Sequence, residues 1–273
     1  MSVIGSLVAP TEGSLVGSLV GSNPRFTRHL DLGEAELGPS IQSIPTTVAG
    51  VNALSGATFT EWWVCNAASG NLVGANGATL TAGGGSIRYS RTVPGWNGTD
   101  YTGGFRAVEF KGTNSTTEAF AAGSASDYQL SQSITWVFAV RLARAPAGNR
   151  GLLGNRAGSA STNAGYGVTI GTNGAPLLTV CDGATVALVN GPGVTTSLDS
   201  LGNGALHWIA FKMDLTSGNA TVHAYRATGT PVAMPAGTKT SATVWRVGGQ
   251  PVYLSCETLQ VVAFGVLTGA NAE

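Results

Sequence analysis

Short apolar runs, separated by Gly, Asn and Ser, recur along the chain from about residue 46 onwards. They are rich in β-branched and aromatic side chains, a composition typical of β-strands. In WIAFKMDL (208–215), every second residue from Ile209 onwards is a large apolar one, which is the period of a strand with one buried face. The apolar positions of this run are Ile209, Phe211, Met213 and Leu215, and Ala210, Lys212 and Asp214 lie between them. The clearest predicted strands are 134–142, 166–171, 175–180, 206–215, 220–227 and 259–267.

Turn signals separate the predicted strands. Asn followed by Gly accepts the positive φ angles of tight hairpin turns, and Asp-Gly does the same. These pairs begin at Asn76, Asn97, Asn173, Asp182, Asn190 and Asn203. A further hairpin is predicted around 217–219, between the strands 206–215 and 220–227. Many short strands joined by such turns predict an all-β fold, an antiparallel β-sandwich or barrel, over residues 46–273.

Residues 1–45 have a different texture and are predicted to form an extended N-terminal arm. The motif GSLV occurs at 5–8, 13–16 and 17–20. This segment is too poor in apolar residues to bury a core and too apolar for a solvated linker. We therefore expect it to assemble onto another subunit by strand addition or groove docking. The docking side chains would be Leu7, Val8, Leu15, Val16, Leu19 and Val20.

Charge excludes several classes of partner. Only 10% of the residues are charged, and 14 basic residues balance 14 acidic ones. The basic residues are scattered, so no footprint for nucleic acid or an anionic membrane is predicted. No apolar run is long enough to span a bilayer, and the N-terminal segment does not match a secretory signal. Three widely spaced cysteines, Cys65, Cys181 and Cys256, are predicted to be buried free thiols.

Chemistry-bearing residues are few. His29, His207 and His223 lack metal-ligand spacing, and no metal site is predicted from them. The sequence WNGTDYTGG (96–104) collects Asn97, Asp100 and two aromatic rings. These oxygens suit either a plain polar loop or, as a weaker alternative, a calcium ion, although one carboxylate is little for a divalent cation. No other cofactor is expected.

Two adjacent tryptophans, Trp62 and Trp63, point to opposite faces if their segment is a strand. We therefore expect one of the two rings to be exposed. An exposed tryptophan would mark an interface or a platform on which a sugar ring stacks.

The order of the strand-like stretches resembles that of the laminin-G-like, concanavalin-A-like jelly-roll domains. The stretches that carry the resemblance are GGFRAVEFKG (103–112), SQSITWVFAVRL (131–142), GNGALHWIAFKMDLTSGNATVHAYRATG (202–229) and LQVVAFGVLTGANAE (259–273), with VCNAASGNLVGANGATLT (64–81) similar to the first strands of longer members. Glycosidases of this shape carry two closely spaced acids. Here Glu109 stands alone, with Asp100 as its nearest acidic neighbour in sequence, so no enzyme is expected.

A near-neutral, Gly-rich β domain preceded by such an arm is similar to the decoration, head-fibre and tail proteins of tailed bacteriophages. The resemblance implies a non-enzymatic virion structural protein, made in the host cytoplasm and anchored by its arm to other virion proteins. It also implies a homo-oligomer with the jelly roll outward, in contact with host-surface glycans. The alternative is a carbohydrate-binding module, in which Trp62 or Trp63, Trp96 and Tyr101 stack on sugars while Asn97 and Asp100 bond hydroxyls. A third hypothesis, a glycoside hydrolase, would require Glu109.

Overall fold

The computed structural model of the chain describes residues 45–83, 87–93, 105–110, 119–124, 127–142, 150–155, 163–171, 176–181, 186–190, 206–215, 219–226, 237–240, 252–254 and 259–272. Within these residues there are sixteen β-strands, one α-helix (α1, Val48–Ser55) and a closing 3-10 turn (Gly269–Ala272). No helix in this described part is long and apolar enough to cross a membrane. The predicted arm lies outside it, so the boundary near residue 45 stays a prediction.

The described strands form two sheets, and every pairing within them is antiparallel. Sheet A has the order β14 (Gly237–Thr240), β13 (Asn219–Arg226), β12 (Leu206–Asp214), β7 (Ile134–Leu142), β16 (Leu259–Thr268), β5 (Phe105–Phe110) and β4 (Ile87–Val93). Strand β1 (Glu61–Val64) also belongs to sheet A and pairs with the second half of β16. Sheet B has the order β11 (Val186–Asn190), β10 (Pro176–Cys181), β9 (Gly165–Ile170), β8 (Arg150–Gly154), β15 (Tyr253–Leu254), β6 (Phe120–Ala122), β3 (Thr79–Ala82) and β2 (Leu72–Val73).

All six of the clearest predicted strands are present, as β7, β9, β10, β12, β13 and β16. Strand β7 has the predicted bounds, β12 and β16 differ from them by one residue at one end, and β9, β10 and β13 are shifted by one residue at both ends. The predicted hairpin joins β12 to β13, with Asp214 opposite Asn219. The all-β, antiparallel β-sandwich predicted from the sequence is therefore confirmed.

The main core fills the space between the two sheets. Its sheet A side includes Ile209, Phe211 and Met213, the apolar face predicted for β12, and all three are fully buried. Three aromatic rings stack at its centre, where Phe264 lies 4.9 Å from Trp63 and 5.7 Å from Phe138 between ring centroids. Offset stacking of this kind adds to the stabilisation from burial.

A second core covers the opposite, outer face of sheet A, and the sequence did not predict it. Its large members are Trp62 and Phe59, beneath helix α1. The sheet supplies small residues at this place: Ala107, Ala139, Ala210, Ala263 and Gly265. A Cβ at Gly265 would lie 2.5 Å from the Trp62 ring, so this position accommodates only glycine without a shift of its neighbours. Both faces of sheet A are thus buried over this area.

Helix α1 is bounded by residues that cap its ends. The Thr47 hydroxyl accepts a hydrogen bond from the Gly50 N–H at 3.0 Å, as an N-cap residue does. At the other end Gly56 has φ +66°, the left-handed conformation that terminates many helices. These two residues therefore set where the helix begins and ends, and Val51 packs it into the second core.

Two of the three cysteines lie in the described part of the chain. Cys65 and Cys181 are buried and outside any disulfide, as predicted, and Cys256 falls outside the described residues. Burial raises the pKa of the Cys65 thiol far above its ordinary value. Cys65 is therefore a packing residue rather than a reactive thiol.

Candidate functional site

The two adjacent tryptophans do point to opposite faces of β1, but the expectation that one ring is exposed is wrong. Trp63 lies in the main core and Trp62 in the second core, at 0% and 1% exposure. Trp62 packs edge-on against Phe59 at 5.3 Å, and its Nε1 donates to the Pro45 carbonyl at 2.7 Å. Neither ring offers a face on which a sugar could stack.

The other predicted contact residues, Trp96, Asn97, Asp100 and Tyr101, lie outside the described residues, as do the predicted docking residues of the arm. In the chain, 96–101 falls in the connection between β4 and β5. Their roles in sugar binding stay predictions. The strands on either side of this connection are described, and charged side chains lie on both: Arg88 and Arg91 on β4 and Glu109 on β5.

A row of four polar residues crosses the outer face of sheet A. Arg141 of β7 lies opposite Gln260 of β16, Gln260 lies opposite Glu109 of β5, and Glu109 lies opposite Arg88 of β4. Directly opposed residues of antiparallel strands project to the same side of the sheet. With strands about 4.8 Å apart, the row is about 14 Å long. We call these four residues, together with Arg91, the polar row.

A β-bulge adds Arg91 to this row. In a regular strand, residues three apart project to opposite faces, because the side-chain period is two. On β4 the register shifts by one residue between Arg88 and Arg91, so that Arg88 pairs with Glu109 and Arg91 pairs with Ala107. Both guanidinium groups therefore project to the side of Glu109. Bulges often re-aim side chains in this way next to functional sites.

Hydrogen bonds connect the polar row from end to end. Arg141 donates to the Gln260 amide oxygen at 2.8 Å, and the Gln260 amide nitrogen donates to Glu109 Oε2 at 2.8 Å. Arg88 Nη1 lies 3.2 Å from Glu109 Oε1, and Arg91 Nε lies 3.4 Å from Oε2. The two bonds to Gln260 also fix which end of its amide is oxygen. The side chains are thus held in place before any ligand binds.

Burial differs along the row. Gln260 is 4% exposed and the Glu109 side chain 12%, whereas the side chains of Arg88 and Arg91 are 45% and 48% exposed. Such half-exposed ion pairs contribute only about 0–1 kcal/mol each to stability. Three guanidinium groups accompany one carboxylate, so the polar row has a formal charge of +2. Its surface toward solvent is formed by hydrogen-bond donors, with Glu109 recessed between them.

The carboxylate of Glu109 does not meet a second acid within the polar row; its partners there are two arginines and one amide. Among the described residues there is no group of three or more His, Cys, Asp or Glu that could hold a metal ion. His207 lies opposite Arg226, and His223 lies opposite Ala210, so the hairpin register does not pair the two histidines.

A second buried carboxylate, Glu61, has a structural explanation. Its oxygens accept hydrogen bonds from the backbone N–H groups of Trp62, Asn76 and Ala78 at 2.7–2.9 Å. Asn76 begins the predicted Asn-Gly turn between β2 and β3, in which Gly77 has φ +96°. Glu61 therefore fastens this turn to β1.

The sequence did not predict the polar row. Its members come from four strands that are adjacent only in the sheet, and one arginine reaches it through a bulge. Of the five residues, the sequence indicates only Glu109, in AVEF, as a candidate, and a single acid does not predict a row. A charged residue inside a mostly apolar strand, such as Arg141 next to the last residue of β7, is the pattern that indicates it.

No protein family matches the chain, and no curated protein sequence matches it. Solved structures do resemble it in fold. The binding domain of botulinum neurotoxin serotype D is 8% identical, with a TM-score of 0.50 over 78% of this chain and 48% of that one. The binding domain of botulinum neurotoxin DC, in complex with SialylT, is 9% identical, with a TM-score of 0.47 over 77% and 47%. This chain therefore spans about half the length of the toxin domains.

A smaller domain is also similar. The CBM40 of the Ruminococcus gnavus IT-sialidase, bound to α2,3 sialyllactose, is 13% identical, with a TM-score of 0.43 over 60% of this chain and 92% of that domain. At these identities the likeness concerns the fold alone.

Proposed function

We propose that this chain is a non-catalytic, carbohydrate-binding β-sandwich domain whose binding face is the polar row on sheet A. The observation that carries the proposal is the row itself: five planar polar side chains, joined by hydrogen bonds and ion pairs, across four strands. The binding domain of botulinum neurotoxin DC is described in complex with SialylT, and the CBM40 as bound to α2,3 sialyllactose. For this chain, the support comes from its own side chains.

Sugar recognition requires donors and acceptors that are fixed before binding, because each hydroxyl is both a donor and an acceptor. The polar row supplies guanidinium donors at its surface and the Glu109 carboxylate as an acceptor between them. Side chains that already hold one another lose little rotamer freedom when a ligand arrives. A row about 14 Å long across a rigid sheet matches an extended oligosaccharide better than a single small molecule.

A carbohydrate-binding module, the alternative to a virion structural protein, is thus the leading proposal. The arm lies outside the described residues. A virion role, with anchoring through residues 1–45 and self-association, therefore stays a prediction. The absence of catalysis is part of the proposal and is supported by the partners of Glu109, which are arginines and an amide. The phage resemblance and the glycan proposal are compatible, since a virion surface domain can bind glycans.

The test is a glycan array with the full chain, containing neutral, carboxylated and sulfated oligosaccharides, followed by calorimetry on any glycan that binds. We expect binding to be lost or weakened at least about tenfold in the double variant Arg88→Ala, Arg91→Ala. The matched control is Arg106→Ala. Arg106 is exposed on β5, three residues from Glu109 and hence on the opposite side of the strand.

Binding that is unchanged in the double variant would place the site elsewhere. An array without signal would overturn the carbohydrate proposal. Mass spectrometry of each bound oligosaccharide after prolonged incubation checks the non-catalytic part. Cleavage products that disappear in Glu109→Gln would show a hydrolase and contradict this part of the proposal.

A further inference from the structure

Resting on the proposed function, we infer that the polar row selects acidic sugars: Arg88 and Arg91 bind the carboxylate of a glycan, and Glu109 positions them. The ligand class is a sugar that carries a carboxylate. Both a terminal sugar acid and a uronic acid within a chain have this chemistry.

Charge is the first argument. Glu109 is shared between two arginines, at 3.2 Å and 3.4 Å, so one positive charge of this pair remains uncompensated. An anionic group is therefore favoured at this face over a neutral one, and the chain as a whole, with balanced charges, does not oppose it.

Exposure is the second argument. The Glu109 side chain is 12% exposed, whereas its arginine partners are 45% and 48% exposed. A ligand that approaches from solvent therefore meets the guanidinium groups before the carboxylate. Each guanidinium has five N–H donors, and its contact with Glu109 engages one nitrogen. The remaining donors form the planar edge that matches the two oxygens of a carboxylate.

The bulge on β4 is the third argument. Without it, Arg88 and Arg91 would project to opposite faces of sheet A, and Glu109 could hold only one of them. The extra residue in β4 brings two guanidinium groups to one acceptor. For a sheet face that needed only an ion pair to stabilise it, one arginine opposite Glu109 would be enough. Two arginines around one recessed acid form a clamp.

The experiment compares matched ligands by calorimetry on the full chain. The probes are 3′-sialyllactose, its methyl ester, lactose, and digalacturonic acid. We expect the carboxylated probe to bind at least about tenfold more tightly than its ester, because only the former makes charge-assisted hydrogen bonds. Its affinity should also fall as NaCl is raised, whereas that of the ester should not. The two acidic probes distinguish a terminal sugar acid from a chain uronate.

Variants test the residues. Arg88→Gln and Arg91→Gln each remove one charge and are expected to reduce the preference for acid over ester about tenfold, because the acid loses more affinity than the ester. Arg106→Gln is the charge-matched control, and it should leave the preference intact. Urea midpoints of all variants check that the fold is retained.

The outcomes separate this inference from the proposed function. Equal affinity for acid and ester, with binding that depends on the polar row, would overturn the inference and leave the carbohydrate proposal standing. Equally tight binding of a lactose sulfate would overturn the assignment of a carboxylate. Failure of every array glycan and every probe to bind would overturn both.

Discussion

The glycine at position 265 offers a direct test of the second core. A Cβ placed on Gly265 would lie 2.5 Å from Trp62 Cε3 and 2.6 Å from Phe59 Cδ1. Carbon atoms in ordinary contact are 3.5–4.0 Å apart, so the neighbouring rings would have to move by about 1 Å. Trp62 has little freedom to do so, because its Nε1 is bonded to the Pro45 carbonyl. The variant Gly265→Ala would therefore displace the segment that carries α1.

Overpacking of this kind costs about 1–3 kcal/mol. We expect Gly265→Ala to lower the free energy of unfolding by about 2 kcal/mol. In a chain of this size that is a decrease of about 4–8 °C in the melting temperature. Urea unfolding followed by tryptophan fluorescence measures the change, with the m value as a check on two-state behaviour.

The matched control is Gly167→Ala, on β9. Nothing lies within 4 Å of a Cβ at Gly167, and no positive φ is recorded there. This substitution should be neutral, or stabilising by up to about 1 kcal/mol through the lower entropy of the unfolded chain. Equal changes in stability for the two variants would refute the close packing of Trp62 and Phe59 on Gly265.

Three further predictions concern buried polar and ionisable groups. Glu61→Gln should cost about 2 kcal/mol in urea unfolding, since an amide cannot accept all three backbone N–H bonds; unchanged stability would show that the β2–β3 turn does not depend on this carboxylate. Burial, with Glu61 and Asp127 nearby, raises the pKa of Tyr128 to about 12, and burial raises that of Tyr166 further. Above pH 10 the folded protein then binds more protons than the unfolded chain. The contribution of these tyrosines to the free energy of unfolding is therefore fully present below pH 10 and should be lost as the pH rises towards 12. Tyrosinate absorbance of the folded protein checks this, and titration of every tyrosine near pH 10 would contradict it. Native Cys65 should react with a thiol reagent only as fast as the protein opens, as mass spectrometry would record, and rapid labelling under native conditions would contradict its burial.

The strands could be predicted from sequence because their signal is local. In β12, Ile209, Phe211 and Met213 alternate with less apolar residues, and this pattern lies within ten consecutive residues. The same alternation placed Trp62 and Trp63 on opposite faces. It could not show what covers each face, because the cover over Trp62 comes from Phe59 and α1. The error at Trp62 was therefore one of tertiary contact, while the local geometry was right.

The polar row illustrates the other limit. Strand order and register bring Glu109, Gln260 and Arg141 into one row. The sequence of a single strand shows neither the strand order nor the register. A sequence reader who assumes a strict period of two also assigns Arg91 to the wrong face of β4, since the bulge leaves no evident mark. Fold class thus depended on local patterns, and the candidate site on pairings between distant segments.

The central position of β16 in sheet A has a consequence for how the chain folds during synthesis. This strand pairs with β7 on one side and with both β1 and β5 on the other, and Thr60 and Thr268, hydrogen-bonded at 2.9 Å, are 208 positions apart. Until residues 259–268 leave the ribosome, strands β1, β5 and β7 each lack a neighbour, and the pair β4–β5 cannot join the part of sheet A formed by β7, β12, β13 and β14. Folding dominated by such distant pairings is slow, and open strand edges invite association between nascent chains. A chaperone that holds the chain until β16 emerges would therefore raise the yield of folded protein.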